Sequence, residues 1–301
     1  MIGAWIVASQ RELATIHLPR ELSFTIGYTL TRIWSLRTHS LSMTEHIKTT
    51  INGPVVEIML DRAERKNALN REMYTALTAA LIEAETLPAV RTVLILGSGG
   101  CFTSGNDLAD FTQISGQSSQ LSESDNVIFD FLQTLNRFSK PVVVSVEGYA
   151  VGIGTTLLLH ADLVYCHPDT VFKLPFVQLG LCPEFASSLL LPRLAGYVKA
   201  AEWLLLGDPF SAGEARHVGL VNAVLDEPLK VAREQCQKLA KLPPQAVRAA
   251  KKLLRQPLEQ PVQQVMVEEV KIFSQLLQGE EFKEAAMAFF EKRAPDFSRF
   301  E

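Results

Sequence analysis

From Ile51 onward, short runs that suit buried strands alternate with runs of helical period, and this alternation limits the fold more than any other feature of the chain. Val55–Leu60 is apolar and β-prone, and Asn70 then stands as the cap of a helix expected to run to Glu85. Residues 93–96 form the next strand candidate, closed by the turn-forming Gly97-Ser98-Gly99-Gly100, and residues 125–138 repeat the helical spacing. After Pro141, the branched residues of Val142–Val146 predict a buried strand, and residues 148–160 read as one glycine-entered helix. Residues 163–166, 171–174 and 220–225 are further strand candidates. Past Ser187 the pattern is mostly helical: Ser211 is placed to cap 212–217, and Pro243-Pro244 opens three helical runs at 246–254, 262–277 and 280–292. The pattern predicts an α/β core with a helical tail.

Residues 1–42 have no sustained amphipathic period and are expected to be a disordered leader or to lie outside the fold, with Met43 as a fresh start. They lack the basic start, apolar stretch and cleavage site of a secretory signal, and Glu12 and Glu21 do not suit a transit peptide. The remaining organisation is a core over 43–242 and a C-terminal helical region over 243–301. No apolar stretch is long enough to span a bilayer.

Composition narrows the function classes. With 47% apolar and 21% charged residues and a net charge of -4, the chain is an ordinary globular protein with no electrostatic reason to bind nucleic acid. Cys101, Cys166, Cys182 and Cys236 form no C-x-x-C pair and suit a reducing compartment, so a bacterial chain is expected in the cytoplasm, ahead of a mitochondrial or peroxisomal matrix. His160 and His167 flank Cys166, but nothing completes a ligand set and no metal is expected. Ser104 with either histidine lacks the G-x-S-x-G elbow of a serine hydrolase. Asp107 and Asp162 read as hydrogen-bonders at a turn and a strand end.

Two glycine-containing segments follow strand candidates: Phe102-Thr103-Ser104-Gly105-Asn106-Asp107-Leu108, and Gly148-Tyr149-Ala150-Val151-Gly152-Ile153-Gly154. Either can present free amides to an anion, although the second misses G-x-G-x-x-G and its glycines equally suit close helix packing. In order, spacing and strand context the pair resembles the oxyanion-hole segments of the crotonase, or enoyl-CoA hydratase/isomerase, family. The resemblance runs from about Thr49 to Phe297 and takes in Arg65-Lys66-Asn67-Ala68-Leu69, Lys140-Pro141-Val142, Gly207-Asp208, Ser211-Ala212 and Phe290-Glu291-Lys292-Arg293. It implies a crotonase-like ββα spiral core, with the C-terminal helices serving trimer assembly and closing an acyl pocket.

The resemblance also implies that the amides of Asn106 and Ile153 stabilise a thioester enolate, each such donor typically contributing about 3 kcal/mol. Substrate contacts fall on Arg65, Ala68, Leu69, Ser104, Gly105, Asp107, Leu108, Gly152, Pro175 and Phe176. Where hydratases of the family carry two glutamates, this chain has Thr156 and Phe176, neither of which replaces a carboxylate. What remains is Glu184 in Leu181-Cys182-Pro183-Glu184-Phe185-Ala186-Ser187-Ser188. By itself Glu184 reads as a first-turn helix acid favoured by the macrodipole. The Cys-Pro-Glu run and Leu174-Pro175-Phe176 resemble the monofunctional 3,2-enoyl-CoA isomerase branch, whose single catalytic glutamate occupies this place. The implied partner is a fatty enoyl-CoA thioester, with no cofactor because coenzyme A is part of the substrate, and the implied assembly is a homotrimer or a dimer of trimers. Alternatives are an enoyl-CoA hydratase, another crotonase reaction, or a non-catalytic acyl-CoA or protein-binding module.

Overall fold

The structure is a computed structural model that describes residues 45–110 and 127–300, so the expectations for residues 1–42 lie outside the described residues. Its strands are β1 (Ile47–Asn52), β2 (Val55–Leu60), β3 (Thr92–Gly97), β4 (Val142–Val146), β5 (Tyr149–Val151), β6 (Leu163–Cys166), β7 (Val171–Lys173), β8 (Phe210–Ser211) and β9 (Ala223–Val224). They make a six-stranded sheet in the order β1-β2-β3-β4-β6-β9 and a three-stranded sheet in the order β5-β7-β8. The larger sheet is parallel from β2 to β9, with β1 added antiparallel at its edge.

The long apolar runs of β3 and β4 are explained by burial on both faces. Val93 and Ile95 of β3 and Val142, Val144 and Val146 of β4 face the main core, while Leu94, Leu96 and Val143 face a second cluster with Ala232 and Cys236. Helix α1 (Arg71–Thr86) starts where Asn70 Oδ1 accepts the Met73 amide at 2.9 Å, and buries Met73, Tyr74, Leu77, Leu81 and Ala84 at helical spacing. Each large side chain so buried contributes roughly 1.5–3 kcal/mol. Helix α2 (Val127–Arg137) packs Phe131 against the Tyr74 ring, with centroids 5.5 Å apart. The remaining helices that matter for the site are α3 (Ile153–Thr156), α4 (Ser187–Ala195), α5 (Ala212–His217), α6 (Pro228–Ala240), α7 (Pro244–Leu276) and α8 (Glu280–Glu291). Ser211 caps α5 through a full capping box with Glu214.

Three local expectations change. Strand β1 is additional: its alternation of Ile47, Thr49 and Ile51 with exposed Lys48 and Thr50 is too polar to read as a buried run, although Asn52-Gly53 is a hairpin signal, with Gly53 at φ +61°. Residues 148–160 are not one helix. Tyr149–Val151 pairs with β7, and Gly152, at φ +55°, breaks the chain before the helical turn begins at Ile153. Conversely, the runs at 246–254 and 262–277 fuse into α7 straight through Pro257 and Pro261. These prolines stand four residues apart, so the lost backbone bonds fall on one face while Val262 and Met266 anchor the helix in the core.

Candidate active site

The first glycine segment is threaded between two others by backbone hydrogen bonds. On one side Ser104 N donates to Lys66 O at 2.9 Å, Leu69 N to Gly105 O at 2.8 Å and Asp107 N to Leu69 O at 2.9 Å. On the other side Thr103 N donates to Tyr149 O at 2.9 Å and Val151 N to Thr103 O at 3.1 Å. Buried Asn67 fixes the corner, donating to Ser98 O and Cys101 O at 3.0 and 2.6 Å and accepting from Arg62 N at 2.8 Å. Glycine is required at 105, where φ is +94° and a Cβ would lie 2.9 Å from Val151 O. A Cβ at Gly154 would come within 2.5 Å of the Thr103 methyl, so the second segment packs as closely in return.

This threading brings Asn106 and Ile153 to the ends of two paired segments. Among the described residues, neither backbone amide donates to a protein acceptor. Ile153 is the first residue of α3, where an amide has no intrahelical partner. The Asn106 side chain is held from α1, where the Tyr74 hydroxyl donates to its Oδ1.

Glu184 is buried, and the Thr156 hydroxyl at the end of α3 donates to its Oε1. Burial pushes the Glu184 carboxyl up to about 8; the Thr156 hydrogen bond opposes this rise and the charge of Glu269 adds to it. Glu184 is not the first-turn acid that its sequence context suggests. Helix α4 begins three residues later, after Phe185 and Ala186 both turn into the left-handed region at φ +58° and +55°. The acid at this helix start is Glu269 of α7, which accepts from Ala186 N at 2.5 Å, Ser188 N at 3.1 Å and Ser188 Oγ at 2.5 Å. His160 closes the kink from the opposite side. Its ring stacks on Phe185 at 3.7 Å, and its Nε2 lies 2.8 Å from Phe185 O, an acceptor, so Nε2 carries the proton. Burial pushes the imidazole down to about 3, leaving it neutral.

The other expected residues divide by surroundings. Gly152 lies beside Phe176, whose ring edge is 4.0 Å from where a Gly152 Cβ would stand, and Pro175 packs under Gly207. Leu69 is buried, Ala68 is half-buried, and Leu108 packs on the C-terminal cluster of Leu181, Leu277 and Phe282. Arg65 is exposed, and its carbonyl accepts from Ala68 N at 3.0 Å and from Ser104 Oγ at 3.4 Å. Asp107 pairs with Arg62 at 2.7 Å and accepts from Ala109 N at 3.0 Å, as expected of a turn residue. Asp162 accepts from Val142 N and Lys251 Nζ, each at 2.7 Å, at the start of β4. Among the described residues, no group of three His, Cys, Asp or Glu side chains could hold a metal ion. A cavity of about 600 Å³ lies apart from Asn106, Ile153 and Glu184, between α2 and α7, and of the groups around Glu184 it includes only His160.

Sequence reasoning missed Tyr74 and Glu269. Glu269 does leave a trace, because it interrupts an apolar stripe of Val262, Met266 and Phe273 at helical spacing, where an acid must find a buried partner.

Comparison with known proteins decides the family. The model of the enoyl-CoA hydratase/isomerase family matches residues 50–299. The chain belongs to this family. A rat enoyl-CoA delta isomerase 2 is 36% identical over 82% of the chain, although the match takes in only 64% of the rat protein. The chain therefore spans less than two thirds of that relative. A Salmonella typhi carnitinyl-CoA dehydratase is 33% identical over 84% of the chain and 98% of its own length. The 2,3-dehydroadipyl-CoA hydratase of Escherichia coli (strain K12) is 32% identical, over 81% of the chain and 94% of its own length. Among solved structures, Pseudomonas aeruginosa OdaA superposes with a TM-score of 0.78 at 44% identity, covering 82% of this chain and 99% of that one. The family's fold is therefore the fold of this chain, as the sequence resemblance implied. No helix among the described residues is long and apolar enough to cross a membrane.

Proposed function

We propose that the chain is an enoyl-CoA isomerase that moves a double bond from C3 to C2 of a fatty acyl thioester, with Glu184 as its acid-base group. The observation that carries this reading is the buried carboxylate of Glu184, whose proton affinity is raised to about 8, beside Thr156 where a hydratase would have one of its two acids. A second buried carboxylate, Glu269, is engaged by Ala186 and Ser188. Glu184 takes the C2 proton of the 3-enoyl thioester, and the electrons move into a dienolate whose oxygen receives the Asn106 and Ile153 amides. Returning the same proton to C4 leaves the conjugated 2-enoyl thioester. No atom is gained or lost, so one carboxylate serves both transfers. A base poised near neutrality suits a proton shuttle, since it must both accept and release within one turnover.

The bacterial relatives named as a dehydratase and a hydratase favour a second reading, water addition or removal. The test is turnover of 3-hexenoyl-CoA and 2-hexenoyl-CoA with product analysis. Isomerisation of the first without hydration of the second supports the proposal. Hydration of the second supports the alternative, and binding without turnover of either supports a non-catalytic module. The substrate class and the absence of a separate cofactor follow from this mechanism, and a reducing compartment such as a bacterial cytoplasm suits the four free cysteines. A trimeric assembly is supported by apolar side chains left exposed on α7 and α8, among them Leu254 at 82% and Phe289 at 61%.

A further inference from the structure

Helix α4 starts without a local cap. Its N-cap is Ala186, which has no side-chain acceptor and sits in the left-handed region. A serine or aspartate at that position would satisfy the first amides locally. Instead a carboxylate 83 residues away is brought in from α7 and buried, a costly arrangement compared with a surface cap. The segment it grips begins at Glu184. Four side chains hold these five residues: Thr156 on the Glu184 carboxylate, Ser187 Oγ on the Glu184 carbonyl at 2.6 Å, His160 on the Phe185 carbonyl, and Glu269 on the Ala186 and Ser188 amides.

We propose that Glu269 is a positioning residue, whose buried carboxylate locks the Phe185–Ala186 kink and so holds Glu184 on Thr156 and aimed at the reacting carbons. This rests on the reading of Glu184 as the acid-base group. Without the lock the left-handed pair is held only from the His160 and Ser187 side, and two consecutive non-glycine residues with positive φ persist only when their surroundings over-determine them. Glu269 also adds a like charge near Glu184, which makes ionisation of Glu184 harder. The other titratable groups facing Glu184 are Tyr74 from α1 and Cys182 on its own segment, with neutral His160 behind the kink. Burial holds the protons of Tyr74 and Cys182 above their ordinary ranges; it raises Glu269 as well, against the Ser188 and Ala186 hydrogen bonds that favour its ionised form, and it is the Glu269 charge that acts on Glu184.

The experiment compares Glu269→Gln, Glu269→Asp and Glu184→Gln, measuring kcat for 3-hexenoyl-CoA against pH, affinity for 2-hexenoyl-CoA by calorimetry, and melting temperature. Glu269→Gln leaves one buried amide donor unmatched, and kcat per binding-competent site should fall by about tenfold or more with affinity changed little. Its rising pH limb should also move to lower pH, because removing the like charge eases ionisation of Glu184. Glu269→Asp keeps the charge but shortens the reach, so its kcat should fall while its limb stays in place, and this holds as the test if the glutamine variant does not fold. Parent kcat per binding-competent site with an unmoved limb, whatever happens to the melting temperature, makes Glu269 merely structural and overturns the proposal. If Glu184→Gln keeps its rate, the acid-base reading itself fails. If Glu184→Gln is dead while both Glu269 variants behave like the parent, only the positioning role fails.

Discussion

If Glu184 is the acid-base group proposed, one burial joins catalysis to stability. In the unfolded chain its carboxyl titrates in the ordinary range, whereas in the folded protein it holds its proton up to about 8. Between these values the folded state binds more protons than the unfolded one, so this group's contribution to stability falls as pH rises across the window. Glu184→Gln removes the base and the ionisation together. Isomerase kcat should fall by about a thousandfold to ten-thousandfold with little change in thioester affinity, and a variant keeping more than about a tenth of the rate defeats the assignment. The same variant should melt higher than the parent at pH 8, by at least about 3 °C, the shift that 1 kcal/mol produces in a domain of this size. A melting temperature equal to the parent's at both pH 5 and pH 8 contradicts the raised proton affinity. Thr156 tunes the same group in the opposite direction, because its hydroxyl stabilises the ionised form. Thr156→Val should therefore move the rising limb of kcat/KM to higher pH, and a limb that stays put or falls shows that the hydroxyl does not face the carboxylate.

At the scale of elements, the site depends on how closely β5 and the chain around Gly105 approach. The two are joined by the reciprocal Thr103 bonds to Tyr149 and Val151, and Gly105 has no room for a methyl group on the β5 side. Gly105→Ala adds both a clash with the Val151 carbonyl and a residue forced to φ +94°, so it should destabilise the fold by about 2 kcal/mol or more. The displaced segment carries the Asn106 amide, so kcat should fall in the fraction that still folds. Equal melting curves for variant and parent refute the close approach. Helix α3 matters for a similar reason: a single turn links Ile153 at its start to Thr156 at its end, so the amide and the partner of Glu184 move together.

At the scale of the whole molecule, the exposed apolar residues of α7 and α8 need a cover, and sedimentation velocity at micromolar concentration should give a trimer or a dimer of trimers. An active monomer there disposes of the interface. The strand and helix order of the core was legible in the chain because both of its signals are local. Period-two and helical runs mark the faces to be buried, and Asn70 and Ser211 cap their helices through side chains that read the same in sequence and structure. The candidate site residues came from motif and not from physics, since nothing local distinguishes Glu184 from an acid in a helix's first turn. That distinction needed α4 to begin at Ser187 and Glu269 to occupy its amides, and both depend on contacts across more than 80 residues. Strand β1 was hidden because its face is half polar, and α7 because its prolines argue locally for a break that core packing overrides. The sequence by itself determined most of the core's strands and helices and which residue types are available for chemistry. Tertiary structure alone decided which carboxylate is buried and poised, which one clamps it, and which amides are left without acceptors, because burial and partnership belong to the packed chain and not to any stretch of it.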